Sequence, residues 1–355
     1  MNSKKGFEIP VLPDNPSLQY CGRIGVDNQG YPEFVFPSSF VKINFTGSSI
    51  RVILENHHVY WDNYIGWILD GIQGKCLLKQ EGTACLTLGE NLGEGRHRLL
   101  LFKRQDSCHT FSFKGFSLSE EGTVLPPDPL PERRIEVYGD SVSAGEVSEA
   151  LEYIGKEDPD HQGEYSNSWY SYSWITARRL NASIHNISQG GIALMNGTGW
   201  FEPPSYIGME EVYDKIQYHP AIGRCCSWDF TKYTPHIIII AIGQNDSHPF
   251  NFMKEDYYGD VSDVWRNHYK AFVEKLREIY PESVIILATT ILNHDKNWDR
   301  AIEEIKVSLA DPKVYHFLYS QNGCGTPGHI RIPEAEHMAE ELSAFIEQLG
   351  DEIWN

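Results

Sequence analysis

Residues 235–247 read Pro-His-Ile-Ile-Ile-Ile-Ala-Ile-Gly-Gln-Asn-Asp-Ser. From Ile237 to Ile242 every side chain is apolar. A strand wetted on one side alternates apolar with polar residues. A strand covered on both sides need not, and such runs mark the interior of a parallel sheet. The run is far too short to cross a bilayer. It stops at Gly243, and the polar residues Gln244, Asn245 and Asp246 follow at once. Ligands of open α/β sheets bind beyond the carboxyl ends of the strands. The stretch therefore predicts a fold and a place to look for a site.

The flanking sequence has the same grammar. Arg134–Tyr138, Ala182–Ile187, Val284–Thr290 and Lys313–Leu318 read as strands, and Asn167–Leu180 reads as a helix. Val261–Tyr280 carries Trp265, Tyr269, Phe272, Leu276 and Ile279 on one face at helical spacing. Pro333 opens a last helix with Met338, Leu342, Phe345, Ile346 and Leu349 as its packed stripe. Alternation of this kind predicts an α/β domain, a doubly wound parallel sheet over residues 134–355.

Residues 1–125 read differently. Short runs such as Phe40–Phe45, Ser49–Leu54, Tyr64–Leu69, Arg98–Phe102 and Thr110–Phe113 alternate with period two. Turn signals at Thr46-Gly47, Asp70-Gly71 and Gly93-Glu94-Gly95 separate them. This predicts a β-sandwich. Residues 126–133 form the linker, because four prolines between 126 and 131 stiffen the chain and remove amide donors.

The bulk numbers bound the function. A chain of 355 residues with 41% hydrophobic content has room for two packed domains. A net charge of −19 argues against nucleic acid and against an anionic membrane as partners. Seven cysteines without a CxxC spacing point to reduced thiols. The N-terminus shows no apolar signal core, so the expected location is the cytoplasm, and the sequons at Asn44 and Asn196 are then silent. No histidine set has metal-ligand spacing, so no metal is expected. His57, His58 and His109 read as exposed residues of the sandwich, and His337 as a helix-surface residue.

Four polar signals fall just after strands or before the last helix. Val137-Tyr-Gly-Asp-Ser-Val-Ser-Ala-Gly145 displays Ser141 at a glycine-bordered turn. A serine nucleophile needs a base, oxyanion donors and exposure at such a turn. Asn186-Ile-Ser-Gln-Gly-Gly-Ile192 offers Gly191, whose amide is unshielded by a Cβ. Asn245 has an amide NH₂ to aim at a developing oxyanion. Gly325-Thr-Pro-Gly-His-Ile330 places His329 where it reaches over the sheet edge. Each taken alone is ordinary turn chemistry.

Taken in chain order, the four resemble the marked residues of the SGNH hydrolases: a Ser in a GDS block, a Gly, an Asn in a GxND block and a late His. The resemblance covers the chain from about Arg134 to its end and implies a flavodoxin-like sheet. With the sandwich in front and the stretch Gly-His-Ile-Arg-Ile-Pro333, the chain is similar to carbohydrate esterase family two. That resemblance implies an N-terminal jelly roll and deacetylation of plant poly- or oligosaccharides such as xylan, mannan and glucomannan, often at 6-O-acetyl groups. It implies no cofactor. It casts Ser141 as nucleophile, His329 as base, and the amides of Ser141 and Gly191 with the Asn245 side chain as the oxyanion hole. The Asp that most relatives carry three residues before the His is Thr326 here. The expectation is therefore a Ser–His dyad, with a backbone carbonyl near Gly325 or Thr326 fixing the imidazole tautomer.

Sugar faces pack on aromatic rings, so Trp200 and Trp298, each in a loop following a strand, are expected to bind substrate, whereas Trp61 and Trp67 belong to the sandwich. Asp140 is expected to hold the turn and Cys324 to be structural. Two other readings remain open: an SGNH lipase or esterase on other short-chain esters, and a carbohydrate-binding protein with an inactive hydrolase half.

Overall fold

The computed structural model describes residues 7–223 and 225–355. They form two units. The first is built on the chain up to Leu130 together with Gln162–Glu164 and Ile216–Cys225; the second holds Pro131–His161, Tyr165–Lys215 and Cys226–Asn355. The division falls inside the proline-rich stretch. Two short segments expected in the later domain cluster with the first unit instead.

The first unit is a β-sandwich of two antiparallel sheets. One runs, in spatial order, Ile24–Val26, Pro32–Phe34, His109–Ser119, Ser49–His58 and Glu81–Glu90, with Phe7–Val11 also paired to His109–Ser119. The other runs Thr123–Leu125, Phe40–Thr46, His97–Lys103, Tyr64–Leu69 and Ile72–Leu77, with Gln19–Cys21 also paired to Phe40–Thr46. Ser49–His58 shows the rule behind them: Ile50, Val52, Leu54 and Asn56 are buried and the residues between them are not. Inward residues of both sheets, among them Phe34, Phe45, Val52, Leu101, Phe111 and Phe113, form one apolar cluster. His109 departs from its expected exposure. It is fully buried, with Nδ1 3.4 Å from both Lys103 Nζ and Cys108 Sγ. Burial holds its pKa well below the usual histidine range.

The second unit is a five-stranded parallel sheet. Its strands are β1 (Arg133–Gly139), β2 (Ala182–Ser188), β3 (Ile237–Ala241), β4 (Val284–Ala288) and β5 (Val314–Phe317), in the order β2-β1-β3-β4-β5. Every residue of β3 is buried, which explains its lack of a polar face. The chain fills one edge with β2, then crosses to the other side of β1 for β3. The crevice between β1 and β3 is thus the topological switch point of a flavodoxin-like sheet.

Helix α1 (Ser141–Ala144) is a single turn after β1. The expected helix 167–180 is broken at Ser171, which ends a short 3₁₀ turn and caps α2 (Tyr172–Arg179). Helix α3 (Asp260–Ile279) buries Trp265, Tyr269, Phe272 and Leu276 as its spacing requires. Helix α5 (Ile332–Gln348) follows α4 (Lys296–Leu309) and closes the fold. Among the described residues no helix is long and apolar enough to cross a membrane.

Helix α4 corrects one expectation. The Asp295 side chain accepts from Asn297 N–H and starts the helix, so Trp298 sits in its first turn and not in a loop. Trp298, Ala301, Ile302 and Ile305 form the buried face. The indole is fully buried, edge-on to Trp265 at 5.1 Å and to Phe252 at 5.2 Å. It is core and has no face left for a sugar. Trp298→Ala is expected to lower stability by about 3–5 kcal/mol in denaturant unfolding. The KM of the folded variant for an ester should stay within about twofold of wild type; a raised KM at unchanged stability would return Trp298 to the substrate.

Candidate active site

Three strand ends meet around one carboxylate. After β1, Asp140 caps α1 by accepting from Val142 N–H on Oδ1 at 3.0 Å. Its Oδ2 accepts from Gln244 Nε2 at 2.7 Å and from Asn245 Nδ2 at 3.3 Å, both just beyond β3. Gln244 Oε1 in turn accepts from Thr290 Oγ1 at 2.8 Å, beyond β4. Asp140 has no exposed surface, and its burial pushes its pKa up against these hydrogen bonds. Its expected part, holding the turn, is the part its contacts describe.

Ser141 opens α1 and is 6% exposed. Gly139 has no room for a side chain, since a Cβ there would overlap Ser143 Oγ. Gly191, beyond β2, is glycine for two reasons. Its φ is +71°, and a Cβ would meet Trp200 Cβ at 2.8 Å. Among the described residues the amides of Ser141 and Gly191 donate to no protein acceptor. Asn245 Nδ2 donates to Ile192 O at 3.0 Å, which aims the amide between the β1 and β2 ends.

His329 completes the group. Its Nε2 lies 2.7 Å from Ser141 Oγ. The partner of its other nitrogen corrects the expected dyad. Nδ1 lies 2.5 Å from Asp158 Oδ2, and the His329 N–H donates to Asp158 Oδ1 at 2.9 Å. A carboxylate only accepts, so Nδ1 carries a proton, and in the neutral ring Nε2 is then free to accept from Ser141. No backbone carbonyl of Gly325 or Thr326 serves this purpose. Thr326 is buried in a bridge to Leu292. Asp158 precedes His329 by 171 positions. It stands in Glu157-Asp-Pro-Asp160, where nothing separates it from its acidic neighbours in a chain of 49 acidic residues.

The electrostatics favour a charged imidazole. Burial alone would lower the His329 pKa, but the carboxylates of Glu146, Asp158 and Asp140 outweigh it and raise the pKa to about 8. Asp158 loses some solvation, yet His329 and Arg331 hold its carboxyl well below the usual range. Arg331 is itself fully buried and donates from Nη2 to Asp158 Oδ1 at 2.8 Å.

Trp200 lies at the rim, 59% exposed, with its ring stacked on His248 at 3.4 Å between centroids. One backbone link joins their loops, Gly199 N–H donating to His248 O, and another ties Trp200 N–H to Gly191 O. Beneath them Asp246 accepts from Leu194 N–H at 2.8 Å, Met195 N–H at 3.1 Å and Thr198 Oγ1 at 2.9 Å. The structure thus gathers Ser141, Gly191, Asn245 and His329, keeps Trp200 beside them and puts Trp298 in the core. Asp158, Gln244, Asp246 and Arg331 also belong to the site and are not singled out by the sequence. Only Gln244 and Asp246 carry a signal there, as neighbours of Asn245 beyond β3.

Known proteins share this architecture. Residues 20–128 match the family model described as Carbohydrate esterase 2 N-terminal. The chain is 30% identical over 345 residues to the cellulase/esterase CelE of Acetivibrio thermocellus, spanning 94% of this chain but only 39% of that protein. It is 26% identical to the acetylxylan esterase / glucomannan deacetylase of Cellvibrio japonicus, across 96% of this chain and 91% of the other. A solved family two carbohydrate esterase from Clostridium thermocellum, in complex with cellohexaose, superposes with a TM-score of 0.78 at 27% identity. That match covers 95% of this chain and 100% of the other.

The histidine geometry fixes a pH dependence. A base must be neutral to take a proton, and His329 is charged below its pKa. The kcat/KM for an acetate ester should therefore rise with pH, with a midpoint near 8. Asp158→Asn removes a carboxylate and permits the wrong tautomer. The midpoint should move to lower pH and kcat should fall by about 10²–10⁴-fold. An unchanged profile in Asp158→Asn would remove Asp158 from the machinery.

Proposed function

We propose that the chain is a carbohydrate esterase of family two, a serine O-acetyl esterase of plant-derived poly- or oligosaccharides, with xylan, mannan and glucomannan as its substrate class. One observation carries this reading: Ser141 Oγ, His329 and Asp158 form a continuous hydrogen-bonded chain at 2.7 and 2.5 Å beside two undonated amides.

The cycle follows from the geometry. His329 Nε2 takes the Ser141 proton as Oγ attacks the acetyl carbonyl. Asp158 keeps Nδ1 protonated and stabilises the imidazolium that forms. The carbonyl oxygen becomes an oxyanion held by the Ser141 and Gly191 amides and by Asn245 Nδ2. The C–O bond to the sugar breaks, and His329 gives its proton to the departing sugar oxygen. Water then repeats the sequence on the acetyl-enzyme and releases acetate. A pKa near 8 suits both halves, because the same group must be a base and then an acid.

Trp200 provides the sugar platform. One of its faces rests on His248, and its exposure leaves the outer surface open. A lipase would need an extended apolar acyl site and affinity for a lipid surface, which a net charge of −19 opposes. An inactive binding protein would not need a nucleophile hydrogen-bonded to a base.

Wild type should release acetate from acetylated manno- and xylo-oligosaccharides, and Ser141→Ala should not. Equal release by both would make the serine only a turn residue. Rates on 4-nitrophenyl esters should fall steeply beyond acetate; a preference for long acyl chains would favour the lipase reading. Trp200→Ala should raise KM for the oligosaccharide by about 2–10-fold, the worth of one ring contact. Its KM for 4-nitrophenyl acetate should change much less. Equal changes on both would deny the ring a sugar contact.

A further inference from the structure

We propose that Gly328 and Arg331 recruit the distant Asp158 to His329, so that the histidine loop captures an acid from outside instead of carrying one at position 326. The proposal rests on the reading of His329 as the general base, and it makes Gly328 and Arg331 positioning residues.

The segment that delivers Asp158 has little packing of its own. Every residue from Leu151 to Glu157 is exposed. Such a strap stays in place only through its ties, and the described ties converge on residues 328–334. The Arg331 guanidinium has no exposed surface. It donates to Ala150 O from Nε at 3.2 Å, to Asp158 Oδ1 from Nη2 at 2.8 Å, and to His329 O from Nη1. One planar group thus binds the root of the strap, the acid and the catalytic loop together. A guanidinium has the fork for this, and an ammonium does not. Glu334 adds a fourth point: its Oε1 accepts from Gly155 N–H at 3.2 Å and its Oε2 from Arg331 N–H at 2.7 Å.

Gly328 is required by space, not by its backbone angle. A Cβ there would lie 2.5 Å from Lys156 O, 2.8 Å from Asp158 Oδ1 and 2.9 Å from Asp158 N. Two of those atoms are backbone, so the strap itself would have to move. Position 326 is occupied by other work. Thr326 is buried, and its main chain bonds Ile291 O and Asn293 N–H. Its Oγ1 makes no hydrogen bond among the described residues. Gly-His-Ile-Arg331 therefore reads as a capture sequence: room before the histidine and a fork after it.

The test is the pH profile of kcat/KM on 4-nitrophenyl acetate, with the full chain, for wild type, Arg331→Gln, Arg331→Lys, Gly328→Ala, Asp158→Asn and the double variant Arg331→Gln/Asp158→Asn. Glu146 and Asp140, the other carboxylates acting on His329, are unaltered in all of them. Arg331→Gln should lower kcat by about 10–100-fold, as a misplaced catalytic group does. It should also move the midpoint below the wild-type value, in the direction of Asp158→Asn. Arg331→Lys should recover part of both. The double variant should lie within about threefold of Asp158→Asn, because Arg331 acts through Asp158. Gly328→Ala should shift the midpoint the same way with Arg331 intact, and it decides the matter if Arg331→Gln fails to fold. A wild-type midpoint in Gly328→Ala and in folded Arg331→Gln, or losses that multiply in the double variant, would overturn the proposal. A wild type no more active than Ser141→Ala would instead overturn the reading beneath it.

Discussion

The carboxylate of Asp140 is the point on which the site depends. It lies at the switch point of the sheet, fully buried, and takes donors from Val142, Gln244 and Asn245. Burying a carboxylate is costly unless its lone pairs are filled. Here filling them fixes the ends of β1 and β3, and β4 is tied in through Gln244 and Thr290. Ser141 is the next residue in the chain, and Asn245 is one of the donors. The positions of the Ser141 hydroxyl and the Asn245 amide are thus consequences of satisfying one buried charge. The parallel register supports this, since β1 and β3 pair from Ile135–Ile237 to Gly139–Ala241 and end level with one another.

The other half of the machinery obeys a different constraint. His329 is surrounded by the carboxylates of Glu146, Asp158 and Asp140, and its charged form is favoured up to about pH 8. A histidine whose pKa is raised on folding contributes stability that is complete below its unfolded value near 6.5 and lost as pH rises through 8. The proposed role as general base needs the neutral ring. The pH range that frees the base is therefore the range in which its ion pair stops stabilising the fold. Asp158 stays ionised throughout that window, so its contact with Arg331 keeps its carboxylate. That contact preserves the strap when the His329–Asp158 pair weakens.

What the sequence discloses follows from periodicity and adjacency. The all-buried β3 and the stripe of α3 are local patterns, and Ser141, Gly191 and Asn245 each stand directly beyond a strand. Such residues need no knowledge of distant contacts. Asp158 is not legible because its partner is 171 positions away and its strap has neither periodicity nor a glycine signature. Trp298 misleads because the chain after β4 has the composition of a loop. Asp295 starts a helix there, and helical phase turns the ring inward. His109 misleads because its strand alternates in sequence, yet His109 to Phe113 are all buried, so both faces of that strand are covered.

The site is thus held by interactions with opposite effects on stability. Asp246 is fully buried and anchors Leu194, Met195 and Thr198, the loop leading to Trp200. Burial raises its pKa from 3.8 to about 6, so as a carboxylate it opposes folding above pH 6 and ceases to do so as pH falls below about 4. Replacing it with an apolar residue would remove that penalty and also the three donors' partner, releasing the loop that carries the ring. Stability is given up where the rim must be precise, as is common at functional sites. Asp140 fixes the reacting atoms to the sheet. Asp246 ties the rim to the same sheet, from the turn that follows the end of β3 at Ala241. A single strand terminus therefore positions both the Asn245 amide and the loop that carries Trp200.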